Sequence, residues 1–159
     1  PDKMEWITEK AVEAGASRIV FFPAARSVTK LSGDKLTKRL EKLRATAVSA
    51  CEQCGRSRIP EIETFASAEA MLSGLNADAR VILAPSSDPG LALGAARSVV
   101  FAVGPEGGFS EEELTLADGA GWTRGLLGPR VLRTETAGLV AIACANAVSG
   151  DYDITGSRA

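Results

Sequence analysis

The stretch Ser98-Val99-Val100-Phe101-Ala102-Val103-Gly104-Pro105-Glu106-Gly107-Gly108-Phe109-Ser110-Glu111-Glu112-Glu113 decides the fold class. A short, continuous run of β-branched and aromatic residues without polar alternation reads as a strand buried on both faces. It runs directly into a glycine-rich loop. Ser110 and Glu113 then form a capping box, in which hydroxyl and carboxylate satisfy exposed amides at the start of a helix ending near Gly119 or Gly121. Strand, loop and helix in that order form the repeating unit of a parallel α/β sheet.

The same alternation extends both ways. Upstream, residues 2–14 read as a helix with Asp2 as N-cap and Gly15 as stop, and Arg18 to Phe22 as a buried strand ended by Pro23. From Asp34 to about Cys54 the series Leu36, Leu40, Leu43, Ala47, Ala50 keeps a period of about 3.6 residues and stops at Gly55, which predicts a long helix with its charged face outward. Glu61 to Phe65 reads as a weak strand and Ser67 to Leu75 as a short helix. Val81 to Ala84 reads as a buried strand halted by the loop through Pro85 and Gly90. Downstream, Thr123 to Leu127 is a short strand, Gly128 to Arg133 a loop, and Thr134 to Val148 a nearly uncharged helix expected to be buried on most sides. The expected architecture is a mostly parallel sheet with helices on both faces. Such sheets place their ligands beyond the carboxyl ends of the strands, here the loops 84–90, 104–108 and 127–133.

Composition narrows the chemistry. The 159 residues are 45% hydrophobic and 24% charged, which suits one globular domain. No run approaches the roughly 18 apolar residues of a membrane span, and the start is neither a signal nor a transit peptide, so a cytoplasmic location without membrane association is expected. Pro1 is not an initiator, which suggests a fragment. The chain has no histidine. That excludes Ser-His-Asp and Cys-His catalysis and histidine metal sites, and leaves carboxylates, lysine, cysteine, arginine or water for proton transfer. Cys51 and Cys54 have CxxC spacing, but neither a second pair nor a histidine completes a zinc site. The plain reading is two small side chains on a helix's last turns, and no metal is expected. The net charge of −2 is unlike a free-standing nucleic-acid binder. Yet Lys30, Lys35, Lys38, Arg39, Lys42, Arg44, Arg56 and Arg58 face only Asp34, Glu41 and Glu52, a basic segment that is either a phosphate-binding surface or a solvated helix face.

Two constellations carry the chemistry. In Gly104 to Gly108 the glycines let a ligand approach the backbone, whose amides can donate to it. The segment lacks the Lys-Ser/Thr ending of a P-loop and the GxGxxG spacing of a dinucleotide fold, and a turn demanded by the fold alone remains the other reading. In Leu127 to Ala137, Arg130, Arg133, Thr134, Glu135 and Thr136 crowd the start of the apolar helix. Thr134 capping it with the charges in ion pairs is one reading; arginines and helix amides meeting a substrate phosphate is the other.

Gly-Pro-Glu-Gly-Gly-Phe-Ser-x-x-Glu followed by Leu-Gly-x-Arg-x-Leu-Arg-x-Glu-Thr-Ala resembles the RsmE family of small-subunit ribosomal RNA uridine N3 methyltransferases. Lys3-Met4-Glu5-Trp6-Ile7, Lys10-Ala11-x-Glu13-x-Gly15 and Cys51-Glu52-Gln53-Cys54-Gly55-Arg56 through Ile59-Pro60-Glu61-Ile62 extend the likeness over nearly the whole chain. The resemblance implies the SPOUT α/β knot, an exception to ordinary topology that no periodicity would reveal. It implies S-adenosylmethionine as cofactor, a homodimer, and ribosomal RNA in the small subunit as partner. Matching motifs places the cofactor against Leu83, Ala84, Pro85, Val103, Gly104, Pro105, Glu106, Gly107, Gly108, Leu127, Gly128, Arg130, Leu132, Thr134, Thr136 and Ala137. Glu106 or Glu135 would take the uridine N3 proton or relay it, Arg130 or Arg133 would bind phosphate or the anionic uracil, and Lys30, Lys38, Arg39 and Arg56 would meet RNA. Two departures stand out: the family's amino-terminal PUA-like RNA-binding domain is absent from residues 1–159, and Leu40 stands where a tryptophan is expected. Two rivals are a SPOUT-like RNA-binding or assembly module without catalysis and a nucleotide-binding protein of another fold.

Overall fold

The computed structural model describes residues 2–27, 32–85, 90–154 and 156. Ten elements follow the expected alternation: α1 (Lys3–Glu13), β1 (Arg18–Phe21), α2 (Gly33–Cys54), β2 (Glu61–Thr64), α3 (Ala68–Gly74), β3 (Ala79–Leu83), β4 (Val99–Val103), α4 (Glu111–Gly119), β5 (Thr123–Gly125) and α5 (Thr134–Ser149). Local signals set the ends. Asp2 accepts from the Glu5 amide at 3.0 Å, Gly55 closes α2 in the left-handed region at φ 80°, and Ser110 and Glu113 form both halves of the capping box.

Every strand pair is parallel, but the pairs form two sheets, β1-β2 and β4-β3-β5, rather than one. Between them runs a cleft of about 2070 Å³. Side chains rather than ladder hydrogen bonds join the halves. Val20 and Phe22 pack on the core of the three-stranded half, formed by Met71, Leu72, Ile82, Ala102, Phe109 and Trp122. Ile142 of α5 packs on that of the two-stranded half, which centres on Val12, Leu43, Ala47 and Ile62. Leu40 also packs there, filling the position where a tryptophan was expected. Leu43, Leu72 and Ile82 are fully buried, each stabilising the fold by about 1.5–3 kcal/mol. Buried Trp122 keeps its indole N–H paired with the Leu72 carbonyl at 2.8 Å.

The expectation for α5 is corrected. Only Ala141 of this helix is buried, Cys144 is exposed and Val148 is two-thirds exposed. One side packs on α1 and β4, with Asn146 donating to the Ala14 carbonyl at 2.7 Å, and the rest of an apolar helix stays open. Thr134 is not its cap either: Arg133 is the N-cap residue and, as a donor-only side chain, makes no capping bond, while Thr134 turns its hydroxyl to the Gly104 carbonyl at 3.0 Å. Cys51 is buried and Cys54 exposed on the last turns of α2.

Candidate functional site

The strands β3, β4 and β5 end side by side, with Leu83 opposite Val103 on one side and Gly125 on the other. The three loops predicted to carry the site therefore begin at one edge. The first and third are bonded together: Ala84 donates to the Gly125 carbonyl at 3.2 Å, and Gly90 and Leu126 exchange two backbone bonds of 3.1 and 3.0 Å. The second and third are tied by the Thr134 bond to Gly104. Each loop carries a glycine at positive φ with nothing within 4 Å of where a side chain would begin: Gly90 at 106°, Gly108 at 70° and Gly128 at 72°. Bare backbone facing open space in all three loops fits a ligand that leans on main-chain atoms.

The glycine loop is held from outside as well. Pro105 and Gly108 close a tight turn, the Gly108 amide donating to the Pro105 carbonyl at 2.8 Å. Gly104 is glycine for lack of room, since an added carbon would stand 3.2 Å from backbone atoms of Gly108 and Phe109. From α1, the Lys3 ammonium hydrogen-bonds the Glu106 carboxylate and lies 3.5 Å from Glu135 Oε2. That partnership holds the Glu106 carboxyl below its usual range and raises the Lys3 ammonium. Glu135 Oε2 is buried without a hydrogen-bond donor: the neighbouring ammonium is close enough for ion pairing but does not hydrogen-bond it.

The structure divides the predicted residues. Val103, Gly104, Pro105, Glu106, Thr134 and Glu135 line the cleft between the sheets. Leu127 and Gly128 line a second, apolar hollow of about 540 Å³ with Leu91, Val140 and Cys144. Leu83, Ala84, Leu132, Thr136 and Ala137 are half-buried at the same strand ends, while Pro85, Gly107, Arg130 and Arg133 are exposed. Arg130 and Arg133 form no ion pair among the described residues, and Glu135 meets Lys3 instead. Of the residues predicted to meet RNA, Lys38 and Arg39 of α2 line the same cleft as Glu106 and Glu135. Lys38 is exposed on α2, and Lys30 lies outside the described residues. Arg39 is drawn into pairs with Asp2 and Glu5, and Arg56 spends one nitrogen on the Val12 and Ala16 carbonyls at 2.9 and 2.8 Å.

One neighbour of the loop carries no local signal in the sequence. Arg26 Nη1 donates to the Gly107 carbonyl at 2.7 Å, and a carbon added at Gly107 would stand 3.3 Å from the Cβ and Cδ of Arg26. The arginine's stem thus lies along the glycine backbone.

A parallel α/β unit with three cross-linked, glycine-bearing loops at its strand ends defines the class of α/β domains that bind a small organic ligand on main-chain atoms. The RNA methyltransferase domain model matches residues 1–146, and the chain belongs to that family, with its RsmE likeness extending over most of its length. The ribosomal RNA small subunit methyltransferase E of Bacillus subtilis is 38% identical over 155 residues, covering 89% of this chain and 59% of that protein. That of Mycobacterium tuberculosis is 33% identical, covering 98% and 63%. The chain thus spans about three-fifths of the length of these relatives. Among solved structures, a putative methyltransferase from Legionella pneumophila in complex with S-adenosylmethionine superposes with a TM-score of 0.85 at 32% identity, over 93% of this chain and 62% of that one. The ribosomal RNA small subunit methyltransferase E of Neisseria gonorrhoeae bound to S-adenosyl methionine gives 0.78 at 34% identity, over 93% and 62%.

Proposed function

We propose that this chain is the methyl-transferring domain of an S-adenosylmethionine-dependent enzyme acting on N3 of a uridine in small-subunit ribosomal RNA. The observation that carries the reading is the cross-linking of loops 84–90, 104–108 and 126–133 at one sheet edge, each with an open positive-φ glycine, in a chain similar to methyltransferases that bind this cofactor. The threading of α5 that the family resemblance implies accords with Thr134 lying against Gly104. Residues 1–159 would form the methyltransferase domain without the amino-terminal RNA-binding one.

Bound at these loops, S-adenosylmethionine supplies a methyl group on a sulfonium. The new N3–carbon bond forms as the sulfur–carbon bond breaks, and the N3 proton must leave. The task of the chain is to hold uracil in line and accept that proton, so positioning provides much of the acceleration. Of the two carboxylates, Glu135 fits the acceptor better: its Oε2 is buried in the cleft with Lys3 3.5 Å away, whereas Glu106 is exposed and its carboxyl is lowered by a direct hydrogen bond from Lys3. Arg133, one residue from the Thr134 contact, would meet the anionic uracil or a phosphate, as would Arg130 further along the same exposed loop.

The partly exposed side of α5 supports a homodimer, because a helix whose one charge is Glu135 in its first turn, with Val148 two-thirds exposed near its end, gains by covering itself with a second copy. No helix among the described residues is long and apolar enough to cross a membrane, and an enzyme of ribosomal RNA acts in the cytoplasm. Calorimetric titration with S-adenosylmethionine, with ATP as control, tests the reading. The expected outcome is saturable binding of the methyl donor alone, weakened at least tenfold by Gly128→Ala. A folded chain that takes up none overturns the reading in favour of an RNA-binding module without catalysis.

A further inference from the structure

Among the described residues, most arginines of the two-stranded half are occupied, with Arg18 on Glu63, Arg39 on Asp2 and Glu5, Arg44 on the Ile62 carbonyl and Arg56 on two carbonyls, while exposed Arg58 stands apart from the loops. Arg26 differs. Its side chain is exposed and, among the described residues, belongs to no ion pair and makes one hydrogen bond, from Nη1 to the Gly107 carbonyl. Because a guanidinium has five N–H donors, most of its capacity remains, at the rim of the loop on which the proposed reaction depends.

The segment presenting Arg26 is rigidly built. Ala24 is 2% exposed, and its amide donates to the Ser27 hydroxyl oxygen at 2.9 Å in a turn closed by the Ser27 amide on the Ala24 carbonyl at 3.1 Å. The Ala25 amide donates to Glu113 Oε1 at 2.7 Å, while Oε2 of the same buried carboxylate accepts from Ser110 at 2.8 Å. Phe22 stacks on Phe109 with ring centres 6.3 Å apart and planes within 7°. Residues 22–27 are therefore bound to both ends of the stretch Gly107 to Glu113. The guanidinium is brought to Gly107 by folding, which lowers the ordering cost of meeting a ligand.

We propose that Arg26 holds a backbone phosphate of the RNA substrate at the glycine loop, beside Gly107 and three residues along that loop from the Thr134 contact at Gly104. The inference rests on the reading of the chain as an RNA methyltransferase. A planar fork with free donors suits two oxygens of a phosphodiester, and its anchored nitrogen fixes where that phosphate sits relative to the loop. The RNA surface then runs over residues 22–27 and the loop, not over the outer face of α2. Arg26 is a positioning residue for the substrate and has no part in holding the cofactor.

Fluorescence anisotropy with a labelled single-stranded RNA of about 12 nucleotides containing one uridine tests this on the whole chain, with S-adenosylmethionine titrations in parallel. Arg26→Gln is expected to raise the RNA Kd about five- to tenfold and to flatten the salt dependence of log K by about 0.7, one single-strand phosphate contact. Its cofactor Kd should stay within about twofold of wild type, and Arg26→Lys should regain the salt slope but only part of the affinity. RNA binding unchanged in Arg26→Gln overturns the inference. So does equal weakening of RNA and cofactor, which would make Arg26 a brace for the loop. A wild-type chain without saturable RNA binding overturns it too. Failure of cofactor binding in the wild type counts against the methyltransferase reading alone, since the RNA titrations judge Arg26 without it.

Discussion

The α1–α2 face and the loop edge are both rich in basic residues, and they use them in opposite ways. On the α1–α2 face Arg39 and Lys42 converge on Glu5, Arg39 also takes Asp2, and Arg56 reaches back to the carbonyls that end α1. At the loop edge Arg26, Arg130 and Arg133 carry no acidic partner among the described residues, and the one ion-paired lysine, Lys3, holds carboxylates of two separate segments. The difference teaches that local positive charge does not measure free binding capacity. What counts is the capacity left after the fold has satisfied its own carbonyls and carboxylates.

The sharpest way to break the contrast is Arg56→Met. If Arg56 is a brace, removing it leaves the Val12 and Ala16 carbonyls short of a charged donor and costs about 2–3 kcal/mol in urea denaturation, with RNA affinity nearly unchanged. A fall in RNA affinity with little loss of stability would return Arg56 to the RNA surface and dissolve the distinction between the two faces.

The loop edge is tested by Gly108→Ala. At φ 70° a Cβ is strained although nothing lies within 4 Å of it, so the substitution should cost about 1 kcal/mol of stability. Cofactor affinity should fall several-fold, because the carbon enters the open space the ligand needs. Loss of stability without loss of affinity would mean that the glycine serves only the turn to Pro105.

What the sequence disclosed follows the range of the interactions. The strand Val99–Val103, the loop after it and the Ser110–Glu113 capping box depend on neighbours a few residues apart, and each could be read from the residues themselves. The separation of the sheets could not, because Val20 and Phe22 report hydrophobicity and not which core they join. The exposure of α5 was hidden for a similar reason: an uncharged helix reads alike whether its own chain or another copy covers it. The pairs that Arg39 and Arg56 make within the fold could not be read either, because their partners lie 34 and 44 residues away. Arg26, whose partner Gly107 is 81 residues distant, gave no local sign at all.

The smallest expected effect concerns Lys3, which ties α1 to the loop edge and so joins the two regions being compared. Its hydrogen bond to Glu106 lowers the carboxyl from an ordinary 4.5 and raises the ammonium from an ordinary 10.5. The depressed carboxyl contributes stability that is fully present above pH 4.5 and is lost as pH falls through the lowered value. The raised ammonium contributes stability that is fully present below pH 10.5 and is lost as pH rises through the raised one. Between those limits the pair is intact, so the Tm difference between wild type and Lys3→Met should be small, constant and reduced by salt, shrinking on either flank. Lys3→Arg should restore it. A difference unchanged well below pH 4 would show that Lys3 acts through its packed stem rather than its charge, and the loop edge would then be held to α1 by contact alone.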